Sequence, residues 1–110
     1  MTAEEFRRHL EAMRADYREH LPEKISTLGR LWRDAMNGTL PATALNELCR
    51  ELHTLAGSAS TFGVAHVGEL ASAAESLLDP FCARGVTPDA TSAAELTALL
   101  DALQRAVGRS

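Results

Sequence analysis

The sequence is poor in aromatic residues, with three phenylalanines, one tyrosine and one tryptophan making up 5% of the chain. Leucine and alanine must therefore fill its core. It has only two cysteines, Cys49 and Cys82, too few for a disulfide framework, and a reducing, cytoplasmic setting is expected. It lacks an excess of basic charge: 11 basic against 15 acidic residues give a net charge of −4. That balance argues against a nucleic-acid partner, which favours basic patches. No apolar run approaches the ~20 residues that span a bilayer, so no membrane partner is expected. Segment 1–8 is charged and lacks the apolar centre of a signal peptide. Also missing are a glycine-rich phosphate loop, a GxSxG elbow and an HExxH pair. Nothing that binds ATP in a recognisable way is present, so no ATP site, kinase activity or cofactor of its own is expected. No paired Cys/His spacing of the structural zinc type appears either, so no metal site is expected.

What is present is an ordinary globular composition, 45% apolar and 24% charged over 110 residues. That size suits one domain, 1–110, with its core over about 22–108. Every long segment shows helical spacing, and none shows the sustained alternation of a strand. Thr2 and Glu5 fit a capping box ahead of Phe6, Leu10, Met13 and Tyr17. Pro22 predicts a kink or a new start, followed by Ile25, Leu28, Leu31, Trp32, Ala35 and Met36 up to Asn37-Gly38. A third helix, starting near 39–43, carries Leu45, Leu48, Leu52, Leu55, Ala59 and Phe62 in alternating steps of three and four. Gly63 offers a corner. A fourth series runs through Val64, Val67, Leu70, Ala71, Ala74, Leu77, Leu78 and Phe81. The stretch from Asp79-Pro80 to Pro88 reads as a loop. Ser92 and Glu95 then open a last helix bearing Leu96, Leu99, Leu100, Leu103 and Val107. The expected fold is all-α: an antiparallel four-helix bundle with an additional N-terminal helix.

Among four histidines, His53 stands apart by position. Helical residues rotate by about 100° each, which puts His53 roughly 100–120° from the centre of the third helix's apolar stripe. Its ring is therefore expected in solvent, beside the small residues Ala56 and Gly57. Glycine inside a helix costs roughly 0.5–1 kcal/mol against alanine, and Gly57, one turn after His53, clears space beside the imidazole. The run Ala56 to Thr61 is uniformly small and forms a low surface on which another protein can dock. The plainer reading is that an exposed histidine is a solvated side chain and that a helical glycine only permits close packing. His9 and His20 sit among charges, and His66 lies near a bundle end. Cys49, one turn before His53, reads as a small boundary residue, and Cys82 as a loop residue with no obvious partner.

The run 52–63, Leu-His-Thr-Leu-Ala-Gly-Ser-Ala-Ser-Thr-Phe-Gly, resembles the signature of histidine-containing phosphotransfer (HPt) domains. That pattern has a histidine, an aliphatic residue two on and glycine four on. Small residues, an apolar residue and a second glycine ten on complete it. His53, Leu55, Gly57, Phe62 and Gly63 meet it in order, and the series after Val64 is similar to the family's following helix. The resemblance implies that His53 is the phosphorylated nucleophile, through Nε2. It would accept a phosphoryl group from a receiver-domain aspartate and pass it to another receiver domain. The implied partners are receiver domains of response regulators and hybrid histidine kinases, with Mg²⁺ held by the receiver. Imidazole in general titrates near pH 6.5, so a neutral nucleophilic ring is available at pH 7. Gly57 would give access, and Asn46, Cys49, Arg50, Thr54, Ser60 and Thr61 are candidates for the docking rim. Ala56 stands where many members carry lysine, and Arg50 is the nearest cation in sequence.

Two other readings stay open at this level. One is a non-phosphorylated helical module that binds and modulates a receiver or kinase, with binding independent of His53. The other is a small bundle holding a metal through His53 and Cys49. The start at Met1 and the complete set of helical series favour a free-standing shuttle.

Overall fold

Thr2 caps the first helix as its spacing predicts, its hydroxyl oxygen accepting the Glu5 N–H at 3.1 Å, with Glu4 and Glu5 in the turn where the helix dipole favours acid. In the computed structural model, which describes residues 1–108, helix α1 (Ala3–Asn37) runs for 35 residues straight through Pro22. The additional N-terminal helix expected from the sequence is therefore the first half of α1. A proline inside a helix costs about 3 kcal/mol. Leu21, Ile25 and Leu28 flank it at 3%, 4% and 2% exposure, and burying each contributes ~1.5–3 kcal/mol. Only an unbroken helix seats all three, while the ring of Pro22 lies on the exposed side.

Pro41 opens α2 (Pro41–Thr61) in the first turn, where proline is tolerated. Leu45, Leu48, Leu52, Leu55 and Ala59 are buried along it. Gly63, at φ +84°, turns the chain into α3 (Ala65–Arg84), a left-handed conformation that glycine adopts without penalty. α3 does not stop at Asp79-Pro80 as expected. It continues through Pro80 to Arg84 and ends on the left-handed Gly85. Pro80 and Ser76, whose carbonyl loses its donor, are both exposed, so the missing bond faces solvent. The last helix, α4 (Ala90–Gly108), is capped by Asp89 rather than by Ser92: the Ser92 N–H donates to Asp89 Oδ1 at 2.8 Å.

The described residues form four helices and no strand. α1 packs on α2 and α4, and α3 packs on α2 and α4, giving a helical bundle with short antiparallel connections. Leu48, Leu52, Leu78, Leu96 and Leu103 are wholly buried at its centre. Trp32, the one tryptophan, donates its indole N–H to Thr97 Oγ1 at 3.1 Å and ties α1 to α4. α1 sets the 52 Å long dimension of the molecule, since 35 residues rise about 52 Å. Its first turns overhang the bundle, leaving Phe6 and Met13 56% and 41% exposed. Tyr17 anchors this overhang, stacking on Phe62 at 4.7 Å between ring centres, with its hydroxyl 2.6 Å from Ser58 Oγ. No described helix is long and apolar enough to cross a membrane.

Candidate functional site

The stripe that buries Leu48, Leu52, Leu55 and Ala59 turns His53 outward, and its side chain is 77% exposed. It does not stand alone. Nδ1 lies 2.6 Å from Glu75 Oε2 on α3. A carboxylate oxygen only accepts, so in the neutral ring Nδ1 carries the proton and donates it to Glu75, while Nε2 keeps its lone pair. Glu75 is only 21% exposed, so its carboxylate is steadied by the α2–α3 seam while the ring it holds projects beyond.

The space beside the ring is open. A Cβ added at Gly57 would meet nothing within 4 Å. Gly68, on α3, is in the opposite situation. A Cβ there would stand 3.0 Å from Ser60 Oγ, 3.3 Å from the Ala56 carbonyl and 3.5 Å from Ala59 Cβ. Gly68 is what lets α3 approach α2 next to the site. Ala56, Ser60, Gly68, Ser72, Ala73 and Ser76 line a shallow groove along this seam.

The other residues singled out from the sequence are dispersed. Arg50 is exposed on the same face, one turn before His53. Ser60 lines the groove toward α3. The Thr61 hydroxyl donates to the Gly57 carbonyl at 3.2 Å. Thr54 faces the other side, in a crevice with Lys24 and Leu28 of α1. Asn46 lies at the far end of α2, against Gly85 to Pro88.

Cys49 corrects the sequence reading most directly. It is bonded to Cys82, across 33 residues of sequence, with the Cα atoms 7.1 Å apart. The physical reason is the continuation of α3 past Pro80: Cys82 sits on its last turns, facing α2, instead of in a loop. In this disulfide-bonded form Cys49 offers no free thiolate, so the ligand that the His53–Cys49 metal reading needs is tied up in the bond.

Glu75 is the site residue that the sequence reading missed. A hairpin centred on Gly63 and Val64 pairs residues whose numbers sum to about 128, and His53 with Glu75 satisfies that register. Two of the remaining histidines, His20 and His66, have local partners. His20 is held protonated to higher pH than usual by its hydrogen bond with the Asp16 carbonyl, then by the Asp16 carboxylate. His66 lies 3.9 Å from Glu69.

A family model described as the Hpt domain matches residues 12–106 of the chain. Among curated proteins and among solved structures, nothing matches.

Proposed function

The chain belongs to the Hpt domain family, whose members carry phosphoryl groups on histidine in phosphorelays and are not kinases, and on that footing we propose that His53 is the phosphoacceptor. The observation that carries this reading is the pairing of an exposed ring with a half-buried carboxylate: Nδ1 is bound to Glu75 at 2.6 Å, and Nε2 is left to react beside the open space over Gly57.

The proposed step is an in-line exchange. The Nε2 lone pair attacks the phosphorus of a receiver's aspartyl phosphate, the P–O bond to aspartate breaks, and the aspartate leaves as carboxylate. The ring keeps its Nδ1 proton and becomes cationic as the N–P bond forms, and the Glu75 carboxylate offsets that charge. The reverse step returns the phosphoryl group to a second receiver. Glu75 is thus a positioning residue that touches no reacting atom. The receiver contributes the acidic pocket and its divalent cation. Arg50 is the candidate cation on this side, since Ala56 occupies the place next to Gly57. The docking face that fits the site centres on Arg50, Gly57 and Ser60, and the partners are receivers of response regulators and hybrid kinases in the cytoplasm.

The test is intact-mass analysis after incubation with phosphoramidate, with and without acid, on native protein and on His53→Gln. One acid-labile phosphoryl group, absent from the variant, is expected. Equal labelling of a folded His53→Gln protein would sink the assignment.

A further inference from the structure

The α2–α3 hairpin is closed twice, at one end by the Gly63 turn and at the other by the Cys49–Cys82 bond. The His53–Glu75 pair lies between these closures. Cys49 is one helical turn before His53, and Cys82 is two turns after Glu75. Pro80 separates Glu75 from Cys82 and has no N–H to give the Ser76 carbonyl. The end of α3 is therefore held to its own helix less firmly than the rest, and the cross-link holds it to α2 instead.

We propose that Cys49 and Cys82 are a reversible dithiol–disulfide site whose state sets how firmly Glu75 is held against His53. Two observations support reversibility. Both cysteines are only half-buried, so a small reactant can reach them. Cys82 Sγ lies 3.6 Å from the Leu45 carbonyl oxygen, where a reduced thiol donates, so the dithiol form also has a seat. In a cytoplasmic setting such bonds are mostly transient and redox-sensing rather than structural.

The reactant class is a small-molecule disulfide. One cysteine thiolate attacks it, forming a mixed disulfide and expelling one small thiolate. The second cysteine thiolate attacks the bonded protein sulfur, closing Cys49–Cys82 and expelling the other small thiolate. The two electrons lost by the protein reduce the small disulfide to two thiols, and the reverse exchange opens the bond. Opening frees the α3 segment beyond Pro80, and the loosening reaches Ser76, next to Glu75.

The consequence for phosphotransfer rests on the reading of His53 above, whereas the exchange and its effect on the His53–Glu75 contact do not. The experiment therefore has separate readouts. Protein equilibrated in oxidised and reduced glutathione at several ratios is alkylated and weighed. Imidazole nitrogen NMR then reports the His53 tautomer in each state, and phosphoramidate gives the phosphorylation rate. Cys49→Ser/Cys82→Ser serves as control.

Two alkylatable thiols are expected in the reduced protein and none in the oxidised. The Nδ1–H tautomer should dominate when oxidised and lose that preference when reduced. Phosphorylation should slow on reduction by about three- to tenfold, the scale of one weakened hydrogen bond. The double variant should match the reduced protein at every ratio. A bond that neither opens nor closes across the series, or a tautomer balance identical in the two states, would overturn the proposal. Absence of labelling in both states would instead count against the phosphoacceptor reading, with the tautomer still deciding this one.

Discussion

Glu75 reaches from α3 to within 2.6 Å of His53 Nδ1 on α2, and the two side chains differ widely in exposure, 21% against 77%. The carboxylate is packed into a helix seam while the imidazole stands in solvent. The contact occupies Nδ1 and leaves Nε2 as the ring nitrogen that faces solvent. Glu75→Gln keeps an accepting oxygen but removes the charge that, in the proposed step, offsets the phosphorylated ring. Phosphorylation by phosphoramidate should fall roughly tenfold, in the range of a hydrogen bond to a charged group moderated by solvent. Glu75→Ala should fall at least as far with the helix content unchanged. Rates equal to native in both variants would remove Glu75 from the mechanism.

The two glycines of the site make opposite predictions. Gly57→Ala meets open space and gains about 0.5–1 kcal/mol of helix preference. Gly68→Ala forces a Cβ to 3.3 Å from the Ala56 carbonyl, a backbone atom that cannot swing aside, and should cost about 1–3 kcal/mol. Urea unfolding of the two variants checks the sign of each. Gly57→Leu should fold but slow transfer from a receiver, because its side chain fills the space beside the ring.

The Cys49–Cys82 bond closes a loop across 33 residues. Constraining a loop of that length stabilises a fold by about 3–4 kcal/mol in the chain-entropy model. Native protein should unfold at lower urea under reductant, and Cys49→Ser/Cys82→Ser should show the lower midpoint with or without it. Equal midpoints in native protein under both conditions would contradict the constraint.

Asp89 tests a different end of the bundle. Its carboxyl is held below the usual 3.8 by its hydrogen bonds to the N–H and side chain of Ser92. A depressed acid contributes stability above its unfolded value and loses it as pH falls through the folded one. Asp89→Ala should therefore lower Tm at pH 7, and the difference from native should shrink as pH drops below 3.8. A difference that holds constant through that range would mean the cap does not act through its charge.

Much of the bundle could be read from spacing alone. The alternating steps from Leu45 to Ala59 predict the buried stripe of α2, and the same arithmetic turns His53 outward. Thr2 and Gly63 act as their residue types suggest. At both prolines packing outweighs local punctuation. Pro22 and Pro80 read as breaks, yet both lie inside helices: buried Leu21 and Ile25 hold α1 on either side of Pro22, while beyond Pro80 half-buried Phe81 and Cys82 pack on the core and Cys82 is bonded to α2. Stopping α3 at Pro80 also hid Cys82, and with it the partner of Cys49. Glu75 was missed for another reason. It carries no local signal and becomes visible only when α3 is folded back on α2 about Gly63. Phe6, Leu10 and Met13 have helical spacing, but Phe6 and Met13 stay exposed because α1 outruns the helices it packs against.

The most direct test of the central claim is transfer between proteins. A receiver domain carrying labelled phosphoaspartate would be mixed with the native chain and, separately, with His53→Gln, and the label followed on both partners over time. The account predicts that label leaves the receiver, appears on the native chain as an acid-labile, alkali-stable group, and is delivered onward to a second receiver, while His53→Gln takes none. Label on His53→Gln at the native rate, or a folded native chain that accepts none from any of a panel of phosphorylated receivers, would contradict it.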